Sequence, residues 1–327
     1  MTKVDIISGF LGAGKTTLIS KLLKEALPDE QVVLIENEFG EIGIDGGFLK
    51  DSGVEIREMN SGCICCSLVG DFGTSLKEVV DKYHPDRIII EPSGVGKLSD
   101  VIKAVKDLHI ENEIRLNSAS TVADASKVKM YMKNFGEFFN NQIEHAGTII
   151  LSRTQNVSED KLKKAIEMIR SLNADAHIIT TPWDSLDGKQ ILAAMENVTN
   201  LELEMLAEQA EKTHEEHEHE HHHHDGECCC GHHHDDDEVF TSWGEETPNK
   251  YDKEALDAIL KKLANTNEYG SILRAKGMLP ANDGTWMYFD LVPEEYEIRE
   301  GNPDYTGRIC VIGAELKEDA LKELFNL

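Results

Sequence analysis

Between Gly9 and Leu18 the chain reads GFLGAGKTTL, a complete GxxxxGK[ST] phosphate-binding loop between an apolar run, Val4 to Ile7, and a helical pattern. That arrangement is chemistry for a nucleoside triphosphate. The glycines Gly9, Gly12 and Gly14 let the backbone curl, so that N–H groups along Gly12, Ala13, Gly14, Lys15, Thr16 and Thr17 can point at phosphate oxygens. The helix that follows adds the positive end of its dipole. Lys15 is expected on the β and γ phosphates and the Thr16 hydroxyl on Mg²⁺. A second element follows at Ile88-Ile89-Ile90-Glu91-Pro92-Ser93-Gly94, a buried-strand pattern ending in ExxG where many GTPases carry DxxG. Here Glu91 would bind Mg²⁺ through water or orient the attacking water, and the Gly94 N–H would meet the γ phosphate. Lys15, Thr16 and Glu91 are therefore the candidate catalytic residues.

Gly62-Cys63-Ile64-Cys65-Cys66 offers a different chemistry. Three thiolates this close supply soft ligands for Zn²⁺, Co²⁺ or Cu⁺. Isolated cysteines often act as small buried hydrophobes, and clustered ones also suit redox work, but neighbours one or two residues apart rarely reach disulfide geometry. Their place between the phosphate loop and Glu91 is that of a switch segment in nucleotide-hydrolysing folds, so metal occupancy could follow the state of the γ phosphate. A second cluster lies in Thr213 to Glu238, with ten of the fourteen histidines, ten acids and Cys228, Cys229 and Cys230. It has nothing to form a core, and its like charges favour a solvated loop. Many weak imidazole and thiolate sites raise local metal concentration without fixing one geometry, although a plain spacer would look similar.

These sites need a scaffold, and the patterning supplies one. Strand-like runs at Val4–Ile7, Gln31–Glu36, Arg87–Glu91, Ser120–Ala123, Thr148–Leu151 and His177–Thr180 alternate with helical patterns such as Thr16–Ala26 and Ser158–Leu172. This predicts an α/β fold, a P-loop domain with a mostly parallel sheet over residues 1–200. Ser158 is a candidate N-cap for the second of those helices. An acidic His/Cys-rich linker over 201–240 precedes a small C-terminal α+β domain over 241–327. In that domain Leu256, Ile259, Leu260 and Leu263 mark a helix face, Asp283-Gly284 a hairpin turn and Arg308–Ile312 a buried strand holding Cys310, while Leu321, Leu324 and Phe325 mark a last helix. His84 and His145 read as packing or capping groups; His109, near Glu111 and Glu113, carries no clear role. The formal charge of −28 in 327 residues disfavours nucleic acid and anionic membranes as partners and favours cations. With no export or anchoring segment legible, the expected location is the cytoplasm.

Taken together, the chain resembles the CobW-type metallochaperone GTPases, which combine this phosphate loop, a CxCC motif preceded by Gly, and ExxG. Asn37-Glu38-Phe39-Gly40 followed by Ile44-Asp45, the His-rich linker, and Arg274-Ala275-Lys276-Gly277 match the same pattern. The resemblance implies that Glu38 joins Cys63, Cys65 and Cys66 in a site for Zn²⁺ or Co²⁺, that GTP is hydrolysed, and that the metal goes to a client metalloprotein; with no arginine finger or catalytic glutamine to assign, low turnover is expected. It leaves a homo-oligomer open. One segment departs from the family: Ser152-Arg153-Thr154-Gln155 stands where NKxD usually reads guanine. Gln155 offers one acceptor and one donor where Asp offers two acceptors, which suits adenine as readily as guanine, while Arg153 can lie on the base. The family keeps GTP ahead of ATP as the ligand of Ser152, Arg153 and Gln155. Two alternatives stay open: a metal buffer or sensor with structural nucleotide, and an activator of a cobalt or corrinoid enzyme with ATP or relaxed nucleotide specificity. Deleting Thr213 to Glu238 should lower metal stoichiometry and leave GTP turnover largely intact; unchanged stoichiometry in equilibrium dialysis would remove the reservoir role.

Overall fold

The computed structural model describes residues 1–36, 55–58, 69–108, 112–196 and 241–327. Two compact units divide the chain, Met1–Val198 and Thr199–Leu327.

In the first unit the strands are β1 (Thr2–Gly9), β2 (Val32–Glu36), β3 (Glu55–Glu58), β4 (Arg87–Glu91), β5 (Ile114–Asp124), β6 (Thr148–Ser152) and β7 (His177–Ile179). They form one sheet in the order β3-β2-β4-β1-β5-β6-β7, with every pair parallel. Helices α1 (Lys15–Glu25), α2 (Val69–Tyr83), α3 (Leu98–Lys106), α4 (Val128–Asn134), α5 (Gly136–Glu144), α6 (Glu159–Arg170) and α7 (Gly188–Met195) connect them. Strands buried on both faces need continuous apolar runs, and Ile88, Ile89 and Ile90 of β4 are fully buried. One core joins Val4, Ile6, Ile88 and Ile90 to Leu98, Val101, Phe139, Ile143, Leu151 and Ile169 from the helices and the neighbouring strand.

The parallel sheet read from the sequence is therefore present, with two differences. Strand β3, the short and charged EIRE, escapes a search for apolar runs and pairs at the edge through β2 alone. Strand β5 begins six residues before Ser120, because its polar residues Asn117 and Ser118 enter a buried network. Ser158 does occupy the N-cap position of α6, yet its side chain makes no capping bond. The capping box formed instead at α7, where Asp187 accepts from Lys189 N and Gln190 accepts from Asp187 N. His84 closes α2 in the left-handed region (φ 45°), and the His145 ring lies 3.0 Å from Asn141 O at the end of α5, so both terminate helices.

That buried network centres on Arg87, whose side chain is 1% exposed at the start of β4. Its guanidinium donates to Asp5, to Glu30 at 2.7 Å and to Glu196 at 2.9 Å. Asn117 Nδ2 donates to both Asp5 and Glu196, Ser118 Oγ donates to Asp5 at 2.6 Å, and Lys3 pairs with Glu196 at 3.2 Å. Burial alone would lift the Glu196 pKa, but hydrogen bonds from Asn117, Arg87 and Lys3 hold it below the usual carboxylate range. The cluster ties β1, β4 and β5 to the end of α7.

The second unit is an antiparallel sheet, β11-β10-β9-β12-β8, built from β8 (Thr241–Thr247), β9 (Ser271–Pro280), β10 (Trp286–Val292), β11 (Glu295–Gly301) and β12 (Gly307–Ala314). Helices α8 (Lys253–Asn265) and α9 (Glu318–Phe325) pack Leu256, Leu260, Leu263, Leu321 and Phe325 against Trp243, Phe289, Ile309 and Val311. The hairpin at Asp283-Gly284 is present, with Asp283 accepting from Thr285 N and Oγ1, and Cys310 is a buried residue of β12. Arg87→Met should destabilise the first unit by about 3 kcal/mol, because Asp5 would stay buried without its cation; a urea unfolding midpoint close to that of the unmutated chain would contradict this account.

Candidate functional site

Parallel strands bring their carboxyl ends to one edge of the sheet, where loops can surround a ligand. Four of them end there in an acid: Glu36 on β2, Glu58 on β3, Glu91 on β4 and Asp124 on β5. The phosphate loop leaves β1 at the same edge and turns directly into α1. Positive φ at Gly9, Gly12 and Gly14 (148°, 68° and 107°) produces that turn, a backbone path other residues adopt only under strain. A cavity of about 750 Å³ opens above it, lined by Leu11, Gly12, Gly14, Lys15, Thr16, Thr17, Glu36, Glu91, Pro92, Ser93, Gly94, Val95 and Arg153.

Within the cavity, Glu91 is the meeting point. Its Oε1 accepts from Thr16 Oγ1 at 3.4 Å and lies 3.7 Å from Lys15 Nζ; Lys15 and Glu91 are buried and Thr16 is half-buried. The ammonium and the first turn of α1 offer positive charge to an anion, while Thr16, Glu91 and the adjacent Glu36 offer hard oxygen donors to a divalent cation. Gly94 packs on the phosphate loop itself: a Cβ there would stand 2.8 Å from Leu11 N and Cδ2. Any larger residue would push the ExxG turn off the loop.

The far wall is built from the end of β6. Ser152 Oγ donates to Ala13 O at 2.6 Å and so holds the phosphate loop from behind. Arg153, left-handed at φ 58°, donates to Gly12 O at 3.0 Å and to the Asp124 carboxylate. Although burial would raise the Asp124 pKa, hydrogen bonds from the Ser126 hydroxyl and N–H, with the Arg153 guanidinium, bring it below the usual range. Trp183 Nε1 donates to Leu151 O at 3.0 Å, and a Cβ on Gly14 would lie 3.3 Å from its ring.

Of the residues singled out in the sequence, Gly12, Gly14, Lys15, Thr16, Thr17, Glu91, Gly94 and Arg153 share this cavity, and Ala13 belongs to its floor through Ser152. Gln155 is exposed on a 3₁₀ turn, Thr154–Asn156, apart from the lining. Glu38, Cys63, Cys65, Cys66, His109 and Thr213 to Glu238 lie outside the described residues. Glu36, Asp124 and Trp183 were missed from the sequence. The repeated acid at the ends of apolar strands was the available signal, and only Glu91 was read from it. Among the described residues no group of three or more His, Cys, Asp or Glu could hold a metal, and no helix is long and apolar enough to cross a membrane.

The model of the CobW/HypB/UreG nucleotide-binding domain matches residues 3–180, more than half of the chain and the whole of this cavity. The chain belongs to the CobW/HypB/UreG family. The cobalamin synthesis protein CobW C-terminal domain matches residues 240–326, the second unit. Among curated relatives, the zinc chaperone YeiR of Escherichia coli is 29% identical over 201 residues, 62% of this chain and 61% of that protein. The zinc chaperone CobW of a Sinorhizobium species is 32% identical over 194 residues, 51% of this chain and 54% of that one. The zinc-regulated GTPase metalloprotein activator 1 of Schizosaccharomyces pombe is 26% identical over 318 residues, 90% of this chain and 76% of that protein. This CobW/HypB/UreG chain thus spans between half and two thirds of the length of the first two relatives.

Asp124 gives this nucleotide site a pH signature. A carboxylate whose folded pKa is depressed adds stability that is full above the unfolded value, about pH 4, and lost as pH falls through the folded value. Asp124→Asn should therefore be less stable than the unmutated chain at about pH 6 and lose less on acidification to about pH 3.5. Parallel losses in urea titrations of the two proteins would show that Asp124 does not contribute.

Proposed function

We propose that this protein is a slow GTP hydrolase that binds Zn²⁺ or a related divalent ion at Glu38, Cys63, Cys65 and Cys66 and delivers it to a client protein in the cytoplasm. The names of its relatives, zinc chaperones and a zinc-regulated GTPase metalloprotein activator, support the activity and the metal. The observation that carries the coupling of nucleotide to metal is a row of strand ends. Glu58, Glu36 and Glu91 are register partners across β3, β2 and β4. Glu36 and Glu91 line the triphosphate cavity. Glu38 follows Glu36 by two residues in the sequence. The cysteine motif starts five residues after Glu58 and ends three before α2, whose strand β4 carries Glu91. Every proposed metal ligand therefore stands within five residues in sequence of a strand or helix of that sheet.

In this reading the backbone of Gly12 to Thr17 cradles the phosphates and Lys15 moves from Glu91 to the β and γ oxygens. Mg²⁺ fits the oxygen donors Thr16 and Glu91, with Glu36 beside them, and when bound it would neutralise charge on the phosphates. Glu91, relieved of Lys15, orients water toward the γ phosphate. Arg153 stays with the base end of the site, and Ser152 supports the loop rather than the base because its hydroxyl is committed to Ala13. Triphosphate draws the strand ends and their thiolates together, and hydrolysis loosens them for transfer to the client.

Titrating Zn²⁺ into the protein with and without a non-hydrolysable GTP analogue should give a several-fold difference in affinity, lost in Cys65→Ser and Cys66→Ser. Identical metal affinity in empty, diphosphate and triphosphate forms would remove the carrier reading.

A further inference from the structure

The ExxG turn is held by a residue far away in sequence. Gln142, in α5, is fully buried, and its Nε2 donates to Gly94 O at 3.2 Å and to Gly96 O at 2.9 Å. The turn is closed on itself by Gly96 N donating to Ser93 O at 2.9 Å. The amide orientation follows from chemistry, since its oxygen would face two acceptors if the group were reversed. In the orientation present, Oε1 is buried without a hydrogen-bond partner among the described residues. Gln142 is itself anchored, for its backbone carbonyl accepts from Thr121 Oγ1 at 2.7 Å on β5. A buried amide that leaves its own acceptor unmatched in order to hold two carbonyls is a costly arrangement, and such cases mark constrained sites.

We propose that Gln142 is a positioning residue for the triphosphate-sensing turn; the inference rests on the nucleotide reading above and deepens it. By drawing the Gly94 carbonyl into the protein, it aims the Val95 N–H, antiparallel across the same trans peptide, away from α5. Residues Ser93, Gly94 and Val95 line the cavity on that side. Leu11 blocks the turn from sliding toward the phosphate loop, because it is already in contact with Gly94. Pulled from one side and stopped on the other, the turn holds its N–H groups ready for a γ phosphate. A diphosphate does not reach that position and does not sense it. Gln142 touches no phosphate; it acts through Gly94 and Gly96.

Gln142→Met keeps the length and apolar fit of the side chain and removes both donors. The expected result is GDP affinity within about twofold of the unmutated protein, affinity for a non-hydrolysable GTP analogue lowered about tenfold, and kcat for GTP lowered with it. Gln142→Glu provides a second arm should the Met variant fail to fold. Its carboxylate repels both carbonyls at about pH 8, whereas at about pH 6 the buried acid, when protonated, donates to one, so triphosphate preference should partly return relative to the unmutated chain. Equal loss for diphosphate and triphosphate, or no loss for either, would overturn the assignment. GTP hydrolysis by the unmutated protein is measured alongside: its absence removes the function proposed above, while the contrast between diphosphate and triphosphate binding still decides Gln142.

Discussion

A carboxylate at the end of a fully buried strand needs a partner, and Glu91 has found two in the first turn of α1. Lys15 and Thr16 reach it only because the phosphate loop turns the chain back from the end of β1 into α1. The loop keeps that path only because Ser152, Arg153 and the contact of Leu11 with Gly94 brace it. Without a ligand the site is thus a closed set of mutual supports. The Lys15 ammonium lies against the Glu91 carboxylate, and neither is left as an isolated charge in a low-dielectric wall.

The charge of the whole chain makes that local arrangement necessary. At −28 the protein repels a triphosphate at long range. Attraction has to come from within a few ångströms, from the loop N–H groups, the α1 dipole and Lys15, or from a cation that travels with the nucleotide. The same net charge attracts divalent metal. Acidity thus favours cations and opposes a triphosphate at long range, an effect that contacts at short range must overcome.

What could be read from the sequence followed from how local each signal is. The phosphate loop, β4 with Glu91, and the helix faces around Leu256 and Leu321 are fixed by neighbours within a few residues, and they stand where the sequence put them. Strand β3 was invisible because EIRE gains its place only by pairing with β2, a partner many residues away. Gln142 and Asp124 were equally invisible as functional groups. A glutamine inside an amphipathic helix reads as surface until the fold places it against Gly94, and an acid ending β5 reads as a turn former until Arg153 arrives from β6. Gln155 shows the reverse case: family pattern drew attention to a residue that stands exposed on its turn, while Ser152 and Arg153 from the same segment are committed to the phosphate loop.

The strand-end register also limits how nucleotide and metal can communicate. Two unit charges ~10 Å apart in water interact by only about 0.4 kcal/mol before salt screening reduces it further. A purely electrostatic link between a γ phosphate and thiolates at that range would barely change metal affinity, and its sign would be ambiguous, since phosphate and its cation nearly cancel. Coupling of the usual size, about 1–3 kcal/mol, therefore requires displacement of chain. Strands β2 and β3 are themselves held in register with β4, Glu58 and Glu91 both pairing with Glu36. Gly94 is held on both sides, by Leu11 of the phosphate loop and by Gln142 of α5. On the proposed reading, coupling of nucleotide to metal therefore rests on movement of chain rather than on charge alone.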